Sequence, residues 1–109
     1  MDTDIRTVLV TAPDAATAEA MATTLVEERL AACVNLVPGV TSIFRWQGTL
    51  SRASEVLMIL KSTAVLDHAL RARVVELHPY DVPEVLSLSV LEGHAPYLEW
   101  IRSEVGTTP

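Results

Sequence analysis

Side chains able to do chemistry are few and widely spaced in this 109-residue chain. There is one thiol, Cys33, and there are three imidazoles, His68, His78 and His94. Cys33 stands in the apolar run Ala31-Ala32-Cys33-Val34-Asn35-Leu36-Val37. That setting suits either a small core residue or a soft ligand for Cu(I) or another thiophilic ion. A nucleophile would need an electropositive, partly open setting. No orienting acid or Gly-rich oxyanion loop accompanies a Cys33–His78 pair, so the sequence reads as a non-enzyme. His78 opens His78-Pro79-Tyr80 just beyond a helical pattern. There it either favours the helix C-terminus in its charged form or acts as a metal ligand or proton donor. His68, on the wet side of a helix, and His94, in a loop after Gly93, are weaker candidates.

A second set is polar and aromatic. Glu55 and Lys61 flank the run Val56-Leu57-Met58-Ile59-Leu60. Six positions apart, they share a face of a strand but lie roughly 20 Å from one another, so that strand alone cannot pair them. With Arg45, Trp46, Tyr80 and Glu84 they form a set expected to line clefts between subunits. Such side chains serve either as a ligand site or as interface anchors.

The elements that must position these groups follow from hydrophobic period and turn chemistry. Thr7 to Thr11 is a β-branched run that ends at Ala12-Pro13-Asp14, a strand followed by a helix start with Asp14 as N-cap. Ala18, Met21, Ala22 and Leu25 recur at helical spacing between Ala15 and Arg29. Leu30 to Trp46 reads as one long strand, bent or bulged at Pro38-Gly39. Gln47-Gly48-Thr49 turns the chain into a return strand, strongest from Glu55 to Lys61, which makes a long hairpin. Thr63 is the expected cap of a second helix running to about Leu77, with Leu66, Leu70, Val74 and Leu77 on one face. An extended loop, His78 to Glu84, leads to the alternating strand Val85 to Val90. A short helix from Pro96 to Glu104 ends the chain, with Tyr97, Leu98 and Ile101 inward.

The order βαββαβ, with right-handed crossovers, predicts an α+β ferredoxin-like plait: one antiparallel sheet, both crossover helices on one face, and a short C-terminal helix. Residues 1–109 suffice for a single domain. The Val56–Leu60 run does not alternate, and Ala31–Val37 is broken only by Asn35. Such strands need cover on both faces, and a chain of this length has no third layer to supply it. Oligomerisation is the simplest answer.

Composition narrows the partners. Half the residues are hydrophobic, and the formal net charge is -6 with only eight scattered Lys and Arg residues. That argues against a sequence-independent nucleic-acid binder. The apolar runs are too short to span a membrane, and Met1 to Arg6 carries Asp2 and Asp4 where a signal peptide would be basic. A single cysteine fits a reducing compartment, which predicts the cytoplasm.

From Leu25 to Trp100 the sequence resembles the CutA family, whose name comes from tolerance to copper and other divalent cations. The resemblance is carried by Leu25-Val26-Glu27-Glu28-Arg29-Leu30-Ala31-Ala32-Cys33-Val34-Asn35 and by Pro38-Gly39-Val40-Thr41-Ser42-Ile43-Phe44-Arg45-Trp46-Gln47-Gly48. It continues through Glu55, Lys61, His78-Pro79-Tyr80, Val82-Pro83-Glu84 and Tyr97-Leu98, with Trp100-Ile101 closing it; Thr11-Ala12-Pro13 matches as well. It implies a homotrimer in which long hairpin strands pack between subunits, and a non-enzymatic binding or regulatory protein in the response to metal ions. Copper or another divalent cation is then the candidate ligand, with Cys33, Arg45, Trp46, Glu55, Lys61, Tyr80 and Glu84 at inter-subunit clefts and His78 as a metal ligand. Some copper-binding relatives carry Cys before Thr-Ala-Pro and His before His-Pro-Tyr; Val10 and Leu77 stand there in this chain. The alternative within the same resemblance is a stable trimeric scaffold for partner proteins with no metal role.

Overall fold

A computed structural model describes residues 3–106; the reading of Met1 and Asp2 lies outside the described residues. Strand β1 (Ile5–Ala12) leads into helix α1 (Ala15–Glu27), whose N-cap Asp14 accepts the Thr17 N–H at 2.8 Å. Strands β2 (Cys33–Trp46) and β3 (Thr49–Thr63) form the long hairpin. Gln47 and Gly48 join them at φ 49° and 81°. These left-handed values match the twist of the flanking strands, and glycine accepts them without a Cβ clash. Helix α2 (Asp67–Leu77), strand β4 (Val85–Ser89) and helix α3 (Ala95–Glu104) complete the chain. The sheet order is β2-β3-β1-β4, all neighbours antiparallel, as the plait requires.

Alternation along β1 and β3 divides the side chains cleanly. Val8, Val10 and Ala12 with Val56, Met58 and Leu60 point to one face and pack on Ala18, Met21 and Leu25 of α1 and Leu70 and Val74 of α2. This is the main core. On the opposite face a smaller cluster forms where Leu98 and Ile101 of α3 meet Ile5 and Ala32. Helix α3 therefore covers one end of that face and leaves the rest open.

Two expectations are corrected locally. Thr63 does not cap α2: it pairs with Ile5 as the last residue of β3, and the helix begins one turn later, at Asp67, behind Leu66 with no side-chain cap. A β-branched residue with a ladder partner available stays in the strand. Tyr97 does not point inward; it is 41% exposed and stacks on Trp100 at 5.6 Å.

Strand β4 alternates, with Val85 packed on the main core from the helix side and Leu86 and Leu88 on the open side. Ser87 faces the helices and donates to the Asp67 carboxylate of α2 at 2.6 Å. Leu86 and Leu88, paired with Leu9 and Thr7, face the open side and are 55% and 44% exposed. Leu9, Leu57, Ile59 and Val37 continue the same apolar surface by register. No helix among the described residues is long and apolar enough to cross a membrane.

Candidate functional site

The bulge in β2 decides which side chains meet. Val37 pairs with Leu57, but the next pair is Val40 with Glu55, so β2 holds one extra residue across Pro38-Gly39. An extra residue turns every following side chain to the other face. Ser42, Phe44 and Trp46 consequently share a face with Ala53 and Glu55, and Arg45 is turned away. Opposite them stands the loop from Tyr80 to Glu84. Between hairpin and loop lies a cleft of about 680 Å³, lined by Thr11, Ser42, Ile43, Phe44, Trp46, Ala53, Glu55, Tyr80, Asp81, Val82 and Glu84. It opens on the same side of the sheet as Leu86 and Leu88.

His78 holds the loop in place. Its backbone N–H caps α2 through the Val74 carbonyl at 2.9 Å. Its ring is 7% exposed, close to fully buried. Nδ1 accepts the Tyr80 N–H at 3.1 Å, which leaves Nε2 to donate to the Thr11 carbonyl at 2.7 Å. Both nitrogens are thus spent, and the pairing specifies the neutral ring with its proton on Nε2. Neither nitrogen is open to a metal ion in this arrangement. Nor is the ring the charged partner of the α2 C-terminus.

Tyr80 packs against that ring at 4.7 Å and donates its hydroxyl to Glu55 Oε2 at 2.9 Å. The Tyr80 phenol is pushed up to about 12, first by desolvation and then by the Glu55 carboxylate that accepts its proton in a hydrogen bond. Glu55 itself is 8% exposed. The cleft therefore rests on a buried carboxylate held by a phenol that keeps its proton at physiological pH.

The residues expected to act together divide into two groups. Trp46, Glu55, Tyr80 and Glu84 gather in the cleft. Cys33 and Lys61 lie at the far end of the open face, as partners in the β2–β3 register. There the Lys61 ammonium donates to Asn35 Oδ1 and lies 3.8 Å from Cys33 Sγ. Tyr97 of α3 closes this second group: its phenol is raised by desolvation first, and further by the neighbouring Cys33 thiol. Arg45 is exposed and joins neither group. Phe44, Thr11 and Asp81 belong to the cleft without having been expected there. Only the bulge parity, applied to Phe44, could have found one of them in the sequence.

The profile described as CutA1 divalent ion tolerance protein matches residues 6–104. The chain belongs to this CutA1 family. A divalent-cation tolerance protein CutA of Thermus thermophilus is 50% identical over 91% of this chain and 96% of its own length. Human protein CutA is 48% identical over 85% of this chain, which spans 52% of that longer relative. The crystal structure of CutA from Xylella fastidiosa superimposes with a TM-score of 0.93 at 39% identity, covering 95% of this chain and all of that one.

Against the CutA pattern for copper, the chain places Val10 fully buried in the main core with Leu77 packed against it. These positions are spent on packing. Among the described residues no three His, Cys, Asp or Glu side chains come close enough to hold an ion. A closed four-ligand site of the structural zinc type is therefore not formed by the described residues of one chain.

Proposed function

We propose that this CutA1 protein, with residues 1–109 acting as one domain, works as a homotrimer that binds a small ligand or metal ion at clefts between subunits. It acts in the response to divalent cations and catalyses no reaction. The observation that carries the reading is strand β4, which presents Leu86 and Leu88, 55% and 44% exposed, on the open face beside Leu9 and Thr7. Leaving both leucines in water is unfavourable for an isolated subunit and favourable once copies cover that face. The cleft opens on the same face, so an assembly through it brings a neighbour to the cleft rim. Ligand sites favour such boundaries.

The free thiol of Cys33 suits work in the reducing cytoplasm. At the cleft, Trp46, Glu55, Tyr80 and Glu84 are the binding groups. Cys33 and Lys61 serve the neighbouring subunit contact, and Arg45 serves the outer side of the hairpin. Light scattering with native mass spectrometry tests the assembly, with an expected mass three times the 11.9 kDa of one chain. Calorimetry on tag-free protein with Cu(II), Cu(I) under reducing conditions and Zn(II) tests the ion. A monodisperse monomer at micromolar concentration would overturn the assembly. Absence of heat with every ion would remove the metal half.

A further inference from the structure

The cleft combines features that a bare metal ion does not use. Its lining includes three carboxylates, Glu55, Asp81 and Glu84, and no Lys, Arg or His. Glu55 is nine-tenths buried, and one of its oxygens accepts the Tyr80 hydroxyl. Its other oxygen has no hydrogen-bond partner, and no cation pairs with the carboxylate, among the described residues. No polar side-chain atom among them is both fully enclosed and unpartnered, so that oxygen is reached from the cleft. A carboxylate buried with one donor and no counter-charge is costly, and a cationic ligand offsets that cost. The walls beside it are Phe44, Trp46 and Val82. Aromatic faces attract ammonium groups, and apolar walls suit methylene chains.

The carboxylates line one cleft without converging, since no three such donors among the described residues come within reach of a single ion. Separated anions around an apolar cleft match a ligand whose positive charges are themselves separated by hydrocarbon. We infer that the cleft binds a linear organic amine, a diamine or polyamine, with one ammonium on the free Glu55 oxygen, a second toward Glu84 and Asp81, and the methylenes against Phe44 and Trp46. This rests on the reading of the cleft as a ligand site and names the ligand's class.

The test is calorimetry on the assembled wild-type protein with 1,4-diaminobutane and spermidine, beside 1,4-butanediol, butanedioate and Cu(II). The amines are expected to bind, and the diol and the dianion are expected not to. Glu55→Gln preserves an acceptor for Tyr80, and Glu84→Gln lies on the exposed rim. Each should weaken spermidine by roughly tenfold or more, the usual effect of losing a charged hydrogen bond. Light scattering checks that each variant keeps its assembled mass. Where Glu55→Gln does not, Asp81→Asn, at an exposed loop position, takes its place in the comparison. Amine binding untouched by all three substitutions overturns the site. Copper binding in the cleft without amine binding overturns the amine but leaves the ligand-site reading intact. Silence from the amines and from copper removes both.

Discussion

The imidazole of His78 crosses 67 positions of sequence to donate to the backbone carbonyl of Thr11 at 2.7 Å. With the Tyr80 N–H on its other nitrogen, this ring ties the end of α2 to the end of β1 and fixes the loop that forms one wall of the cleft. His78→Ala removes two hydrogen bonds and opens a buried void, so it should cost about 2–4 kcal/mol in a urea titration. Copper affinity, measured on the same variant at a temperature where it stays folded, should be unchanged. A drop in copper affinity larger than the drop in stability would give the ring back to the metal.

Leu88 and Ser87 are neighbours with opposite duties. Leu88→Lys places a charge on the open face and should reduce the light-scattering mass to that of a single 11.9 kDa chain. Ser87→Ala removes only the hydrogen bond to Asp67 and should keep the assembled mass while costing about 1 kcal/mol. If Leu88→Lys assembles normally, the open face is not the contact.

Tyr80 should titrate late. In a Tyr97→Phe background it is the sole tyrosine, and its absorbance midpoint is expected near pH 12 instead of 10. Since desolvation is the larger cause, Glu55→Gln should lower the midpoint without restoring the ordinary value. The raised value means that the folded state holds the proton more tightly than the unfolded one. Its contribution is therefore complete below pH 10 and disappears as pH rises toward 12.

On the acid side the sign reverses. The Arg102 guanidinium holds the Asp4 carboxyl below its ordinary 3.8, the Thr17 N–H does the same for Asp14, and Arg73 holds Glu28 below 4.5. Lowered carboxyls stabilise the fold above their unfolded values, and the benefit is lost as pH falls through the folded ones. Denaturant midpoints should hold steady down to about pH 5 and then decline through pH 3. Arg102→Gln, which frees Asp4 and Glu99, should flatten the upper part of that decline.

Much of this was readable in the sequence because the deciding signals are local. Asp14 before an amphipathic stretch marked the start of α1. Pro38-Gly39 marked the bulge, and Gln47-Gly48 the turn. Strands that fail to alternate marked a sheet face needing cover. The site was legible only in part. Trp46, Glu55, Tyr80 and Glu84 do share a cleft, but Arg45 and the Cys33–Lys61 pair do not. Their separation depends on which face each strand presents after the bulge and on where the 78–84 loop is anchored. Both depend on contacts between residues far apart in sequence. The start of α2 is hidden from the sequence for a similar reason: Thr63 has a ladder partner 58 positions earlier, Ile5, which helix propensity does not register.

The hairpin beyond the bulge has a consequence for order in time. From Val40–Glu55 out to Trp46–Thr49 the two strands pair with each other and, among the described residues, with no third strand, and most of their side chains are exposed. A ribbon of two strands is at best marginally stable in water without a layer to rest on. In the proposed trimer, assembly is the step that consolidates this ribbon, after the β1–β3 core has closed. On dilution, the backbone amides of the Phe44–Ser51 region should begin exchanging with solvent deuterium while those of Val8 and Met58 stay protected. In the proposed trimer, the tip of the hairpin is a built-in gauge of how much of the protein is assembled.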